Sequence, residues 1–360
     1  MSFIPRATFP SLTHLPRSYF LGHHKSGLQK MKSLLSTIDL VIECRDYRVP
    51  LTSRNPLFES SLEGKERLVV YTHRDLGPRG TRDEEVVKKW HAPTEVMFVR
   101  NMGEKDGGER EKGRSVRKVL EYLREHAGKR WTLVGHRVLV VGMPNVGKST
   151  LLNALRAGGV GKGKVARTGA QPGVTRKISS GVKIIASEDD VVEGGGGRGV
   201  GDAVGGGVYL VDTPGVFIPY VPDAEAMMKL ALCGSVKDAI ISPVMLADYL
   251  LYHINLADPM LYAEYTPAGP TNDVVELLEG IARKTGRLGK GGKADLEATA
   301  LWMVQRWRTG GLGRFLLDRV TETGLEESRV REGEVKPSIS QARKAEKERR
   351  RERGRLRGVA

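Results

Sequence analysis

The stretch Val138-Leu139-Val140-Val141-Gly142-Met143-Pro144-Asn145-Val146-Gly147-Lys148-Ser149-Thr150 decides the fold. Its aliphatic run reads as a buried strand, and Gly142 to Ser149 follows the pattern GxxxxGK[ST]. Glycines in that pattern let successive backbone N–H groups curl around phosphate oxygens. Lys148 would then neutralise phosphate charge, Ser149 would ligate Mg2+, and a helix opening at Ser149 would add the positive end of its dipole. Strand, loop and helix in this order predict a nucleotide site containing Asn145, Val146, Gly147, Lys148, Ser149 and Thr150.

On the N-terminal side of this motif, strand-like Leu40 to Ile42, Leu68 to Tyr71 and Val96 to Val99 alternate with helical Glu84 to Trp90 and Ser115 to Glu125. That is the rhythm of a parallel sheet covered by helices. On the C-terminal side, Val182 to Ala186 and Val208 to Val211 read as paired strands, joined through a glycine-rich insert at 194–207 that reads as a flexible loop. Beyond Pro222 the pattern becomes helical only. Val274, Leu277, Leu278 and Ile281, and again Ala300, Met303, Val304 and Trp307, fall at i, i+3, i+4 and i+7. The expected architecture is an α/β P-loop domain at 18–218, a helical domain at 219–325 and a basic tail at 326–360.

Two further motifs flank the phosphate loop. Asp212-Thr213-Pro214-Gly215 ends the apolar strand Val208 to Val211, where a carboxylate can hold Mg2+ and the Gly215 N–H can meet a γ-phosphate. Between it and the loop, Pro172-Gly173-Val174-Thr175 offers Thr175 as a switch ligand to the same ion. A guanine site needs a carboxylate facing the base's N1 and N2 donors, usually from NKxD at a strand end. No NKxD follows Gly215. Instead Thr72-His73-Arg74-Asp75 ends the strand Leu68 to Tyr71, with Asp75 as the carboxylate and Thr72 and His73 in place of Asn and Lys. Base element, phosphate loop and switches then come in circularly permuted order. Two rival readings are a nucleotide-binding RNA adaptor with little turnover and an ATP-using P-loop enzyme.

Composition narrows the class. With 58 Lys+Arg against 43 Asp+Glu the 360-residue chain carries +15. No apolar run approaches the roughly 20 residues of a membrane span. Cys44 and Cys233 are the only cysteines, so there is no disulfide framework and no cysteine zinc cluster. Lys and Arg outnumber Asp and Glu more than twofold from Arg329 onward, which suits a polyanionic partner or a merely solubilising tail. No acidic residue precedes Asp39, so 1–17 reads as a mitochondrial targeting segment, against which Pro5, Pro10 and Pro16 interrupt a long amphipathic helix.

Several separate stretches together resemble one family. Tyr19-Phe20-Leu21-Gly22-His23-His24-Lys25 is similar to WFPGHMxK, Arg45-Asp46-Tyr47-Arg48-Val49-Pro50 with Ser53-Arg54-Asn55-Pro56 to DARIPxSxRNP, and Gly234-Ser235-Val236-Lys237-Asp238 to TGAIKD. These are signatures of the circularly permuted ribosome-assembly GTPases of the RbgA/YlqF type, and the chain most resembles their mitochondrial ribosome-associated GTPase 1 family. The resemblance implies GTP hydrolysis coupled to assembly of the mitochondrial large ribosomal subunit, with rRNA as a contact. It also implies a peripheral place on the matrix side of the inner membrane. Val216 stands where ordinary GTPases carry a water-orienting Gln, and the family's substitute is a His that matches His23, with His24 beside it. Asn145 matches the residue associated with K+ stimulation.

Overall fold

The computed structural model describes residues 3–10, 35–100, 108–130, 132, 134–161, 181–193, 203–212, 221 and 223–334. It divides into two compact units, Met1–Glu322 and Thr323–Ala360. In the first, six strands form one sheet: β1 (Leu40–Asp46), β2 (Arg67–Thr72), β3 (Glu95–Phe98), β4 (His136–Gly142), β5 (Val182–Ile185) and β6 (Val208–Asp212), in the spatial order β3-β2-β1-β4-β6-β5. All neighbours run parallel except β5, which pairs antiparallel with β6. The intervening helices are α1 (Pro56–Ser61), α2 (Arg82–His91), α3 (Gly108–Gly128), α4 (Lys148–Val160) and α5 (Glu188–Glu193). Short, acidic α5 was not anticipated from the sequence. It follows a turn in which the Ser187 N–H and Oγ–H both donate to Asp190 Oδ2, at 2.8 and 2.6 Å.

Strands buried on both faces need apolar residues at every position, and the sheet follows this with a period of two. Leu40, Ile42 and Cys44 of β1 and Val138 and Val140 of β4 enter one core, whereas Val41, Leu139 and Val141 enter another with Leu35 and Ile38. Tyr47, Val69, Tyr71, Val87 and Val96 form a third cluster against α2. β1 breaks the rule with Glu43, Arg45 and Asp46, all buried. Buried charge is tolerated when paired, and here Arg45 Nε donates to Glu43 at 2.7 Å while its Nη2 reaches Glu59 at 2.8 Å.

The chain then runs through α6 (Ala224–Leu232), α7 (Pro243–Ala257), α8 (Val274–Thr285) and α9 (Leu296–Arg308). Asp223, Asp273 and Asp295 cap α6, α8 and α9 by accepting backbone N–H groups. Leu277, Leu278 and Ile281, with Ala300, Met303, Val304 and Trp307, are buried as their spacing predicts, and their core is continuous with that on one face of the sheet. The N-terminal stretch also lies on these helices. Arg6 pairs with Asp248 of α7 at 2.6 Å, Phe9 meets Tyr249 edge-on with ring centroids 5.0 Å apart, and Asn272 Nδ2 donates to the Ile4 carbonyl at 2.9 Å. In the second unit, α10 (Gly324–Glu334) is the described element; the rest of the basic tail lies outside the described residues.

Candidate functional site

Because β1, β2, β4 and β6 are parallel, the loops after them gather on one edge of the sheet, where such folds bind ligands. The loop after β4 is sharply curled. Gly142 has φ +145°, and a Cβ there would come within 2.3 Å of the Cys44 carbonyl oxygen, so the β1–β4 contact demands glycine. Asn145 (φ 57°) and Gly147 (φ 82°) are both left-handed, and Gly147 caps α4. This alternation turns consecutive N–H groups inward, as an anion nest requires. Lys148 is 7% exposed, and its Nζ donates to the carbonyls of Gly142 at 2.9 Å and Met143 at 2.5 Å. α4 has no acidic residue in its first turn, so nothing there opposes the positive end of its dipole. Ser149 and Thr150, half-buried, open that helix.

The turn after β2 touches this loop directly. Thr72 is fully buried at the end of β2, and its Oγ1 lies 2.6 Å from the Val146 carbonyl oxygen and 3.1 Å from that of Arg45. His73 follows in the left-handed region (φ 55°), and a single 3-10 turn, Arg74–Leu76, then carries Asp75, which is 5% exposed. Through Thr72 the turn that carries His73 and Asp75 is thus tied to the phosphate loop.

Asp46 and Arg48, from the stretch Arg45 to Pro50, support this turn. Asp46 Oδ2 lies 3.3 Å from His73 Nδ1 and accepts from Arg48 Nη2 at 2.7 Å, while Oδ1 accepts from Arg48 Nε at 3.0 Å. Burial alone would raise the Asp46 carboxyl, but the Arg48 guanidinium and the His73 ring beside it hold it well below the usual carboxylate range. Arg48 also lies over the Trp307 ring, 5.2 Å from its centroid. No role for Asp46 or Arg48 was read from the sequence. The available signal was charge at the end of an otherwise apolar strand, which must be paired if buried.

Asp212 closes β6 in register with Val140, two residues before the loop begins, so Asp212 and Ser149 belong to the same edge of the sheet. The residue types at these two positions, a hydroxyl and a carboxylate, are the hard oxygen donors that Mg2+ takes. Bound there, the ion would neutralise phosphate charge. His23, Thr175, Gly215 and Val216 lie outside the described residues.

Comparison with known proteins gives this arrangement a family. Residues 137–265 match the family described as 50S ribosome-binding GTPase. Mitochondrial GTPase 1 of Schizosaccharomyces pombe is 36% identical over 337 residues, covering 90% of this chain and 96% of that protein. The chain belongs to the mitochondrial GTPase 1 family. Mitochondrial ribosome-associated GTPase 1 of Mus musculus is 33% identical over 329 residues, covering 87% of this chain and 94% of that protein. The crystal structure of GNP-bound YlqF from T. maritima shares the fold, with a TM-score of 0.50 at 22% identity, covering 82% of this chain and 98% of that one. Within this GTPase family the permutation explains where the 50S ribosome-binding match begins. It starts at Arg137, in β4, and leaves out β1 to β3 and with them the turn that follows Thr72.

Proposed function

We propose that this mitochondrial GTPase hydrolyses GTP as an assembly factor for the large subunit of the mitochondrial ribosome, in support of mitochondrial translation. The observation that carries the reading is the bond between Thr72 and Val146, which joins a base-side turn bearing a buried carboxylate to a phosphate loop that follows it in the chain. Asp75 accepts from the guanine base, with Thr72 and His73 completing its surroundings. The loop from Asn145 to Thr150 holds the phosphates, and Gly215 senses the γ-phosphate. Ser149, Asp212 and Thr175 hold Mg2+, and Asn145 makes hydrolysis respond to K+. Val216 leaves no polar group to orient water, so His23 takes that part and the intrinsic rate is low until the ribosomal subunit completes the site. The G domain acts as the switch and the helical segment, with the basic tail, as the rRNA-facing part. Among the described residues no helix is long and apolar enough to cross a membrane, and the proposed association with the matrix side of the inner membrane is peripheral.

The test is GTP and ATP hydrolysis by the purified protein in K+ and Na+ buffers, with and without mitochondrial large subunits. A GTP-selective rate that rises with subunits and with K+ is expected. Tight GTP binding without that rise would make the protein an adaptor, and ATP preference would overturn the base site at Thr72 to Asp75.

A further inference from the structure

The end of α6 is closed in an unusual way. Its last turn is a Schellman motif: the Ser235 N–H donates to the Leu230 carbonyl at 2.8 Å and the Gly234 N–H to that of Ala231 at 2.9 Å, with Gly234 left-handed at φ 80°. This motif leaves the carbonyls of Leu232, Cys233 and Gly234 to be satisfied from elsewhere. Each is met by a side chain from a different part of the chain. Arg308, at the end of α9, donates through Nε to Leu232 at 2.8 Å and through Nη2 to Ala231 at 2.7 Å. Arg48, which pairs with Asp46 behind the base-side turn, reaches the Cys233 carbonyl at 3.4 Å. Asn145 of the phosphate loop donates through Nδ2 to Gly234 at 2.7 Å. Ser235, 2% exposed, returns the contact by donating from Oγ to the Pro144 carbonyl at 2.9 Å.

We propose that this capped end of α6 is the joint through which the helical segment holds the phosphate loop in its binding shape, with Ser235 and Arg308 as positioning residues for guanine nucleotide. Three physical points carry it. Asn145 sits at φ 57°, a conformation that costs a non-glycine residue free energy and persists where surrounding contacts fix it. Gly234 supplies such a contact, and Ser235 fixes the residue before Asn145. Arg308, bonded to Asp238 at 2.7 Å as well as to the helix end, holds the 234–238 turn in register against the negative pole of α6, where a guanidinium is favoured. Neither Ser235 nor Arg308 belongs to a phosphate-, base- or Mg2+-binding motif. Coupling of this kind is reciprocal: if the joint shapes the loop, nucleotide on the loop must stiffen the joint.

The proposal rests on the guanine-nucleotide reading above, and wild-type protein that bound no GDP would refute that reading rather than the joint. The experiment is titration of fluorescent GDP and a non-hydrolysable GTP analogue into full-length wild type, Ser235→Ala, Ser235→Thr, Arg308→Ala and Asn255→Ala, each paired with a thermal melt. Asn255 is a control of a different kind. It is buried in α7 and bonds the Thr271 carbonyl at 2.9 Å and Tyr262 Oη at 2.7 Å, so its loss destabilises the helical segment away from the joint. Ser235→Ala and Arg308→Ala should weaken both nucleotides about fivefold or more, while Ser235→Thr and Asn255→Ala stay within about twofold of wild type. GDP should also slow hydrogen exchange of the amides of residues 233–236. Binding unchanged in Ser235→Ala and Arg308→Ala, or equally weakened in Asn255→Ala, would overturn the proposal. Should Arg308→Ala fail to fold, the Ser235 pair decides alone.

Discussion

Thr72→Val isolates the link between the base side and the phosphate side of the site. Valine keeps the shape of threonine and deletes only the hydroxyl, whose single proton serves the Val146 carbonyl at 2.6 Å in preference to that of Arg45 at 3.1 Å, and whose oxygen also lies 3.1 Å from His73 Nδ1. Thr72 is fully buried, so water cannot replace the lost donor. A buried carbonyl left without its partner costs about 1–3 kcal/mol. If the cost falls on the binding-ready form of the loop, guanine nucleotide affinity drops by up to about 5- to 150-fold, the factor that corresponds to 1–3 kcal/mol. Thr72→Asn, which restores the residue usual at this position and keeps a donor, should retain more affinity than Thr72→Val. The assay is a fluorescent GDP titration with urea unfolding measured on the same samples. If Thr72→Val unfolds more easily yet binds GDP within about twofold of wild type, the bond supports the fold without organising the loop, and the reasoning is refuted.

Three other outcomes follow from the same geometry. Asp75→Asn should weaken GDP by about tenfold or more and narrow its advantage over ADP, because a charged acceptor is lost from the base site; competition titration would show an unchanged GDP-to-ADP ratio if Asp75 faces something else. His23→Ala should leave nucleotide affinity intact and lower only the ribosome-stimulated rate, so equal stimulated rates for variant and wild type would remove the catalytic assignment. Burial, with Arg45 and Arg67 nearby, depresses the His91 imidazole to about 2, and burial near Lys229 depresses that of His253 to about 4. Both therefore stay neutral in the folded chain while the unfolded chain takes up protons below pH ~6.5, so stability is full above that pH and falls by about 2 kcal/mol per histidine by pH 5. In chemical unfolding at the two pH values His91→Gln should lose about half that acid sensitivity, and an undiminished loss would place its origin elsewhere.

The strands, the phosphate loop and the amphipathic helices were legible because each is written locally. Four buried aliphatic residues before Gly142 specify β4, and the i, i+3, i+4, i+7 spacing of Val274 to Ile281 specifies the buried face of α8. Six-residue α5 was missed because its sequence, EDDVVE, is too short to repeat an apolar residue at helical spacing; a serine-aspartate turn starts it instead. The docking of residues 4–9 on α7 was equally hidden, since Arg6 and Phe9 find their partners more than 200 positions away and the intervening sequence carries no record of the match. The sequence placed Thr72, His73 and Asp75 at the end of a strand, where the structure has them, but did not reveal the Val146 carbonyl that gives Thr72 its partner. Arg308 is the extreme case. It meets the end of α6 across 76 residues of sequence, and only the fold reveals why a C-terminal arginine on α9 faces carbonyls.

Permutation gives these contacts a mechanical sense. In a parallel sheet every strand delivers its following loop to the same edge, so the turn after β2 and the phosphate loop after β4 can meet in either chain order. Among the described residues the element that follows β6 is α6. α6 is a nine-residue rod, about 13 Å long, capped by Asp223 at one end and held at the other by Asn145, Arg48 and Arg308. α6 is thus tied to the phosphate loop at its C-terminal end. A displacement of α6 relative to the phosphate loop would either break this cap or pivot the helix about it. Breaking would strand three helix-end carbonyls, one facing a guanidinium already committed to buried Asp46. Pivoting would leave those bonds intact and shift the start of α6 against the shared core into which Met227, Leu230 and Ala231 pack.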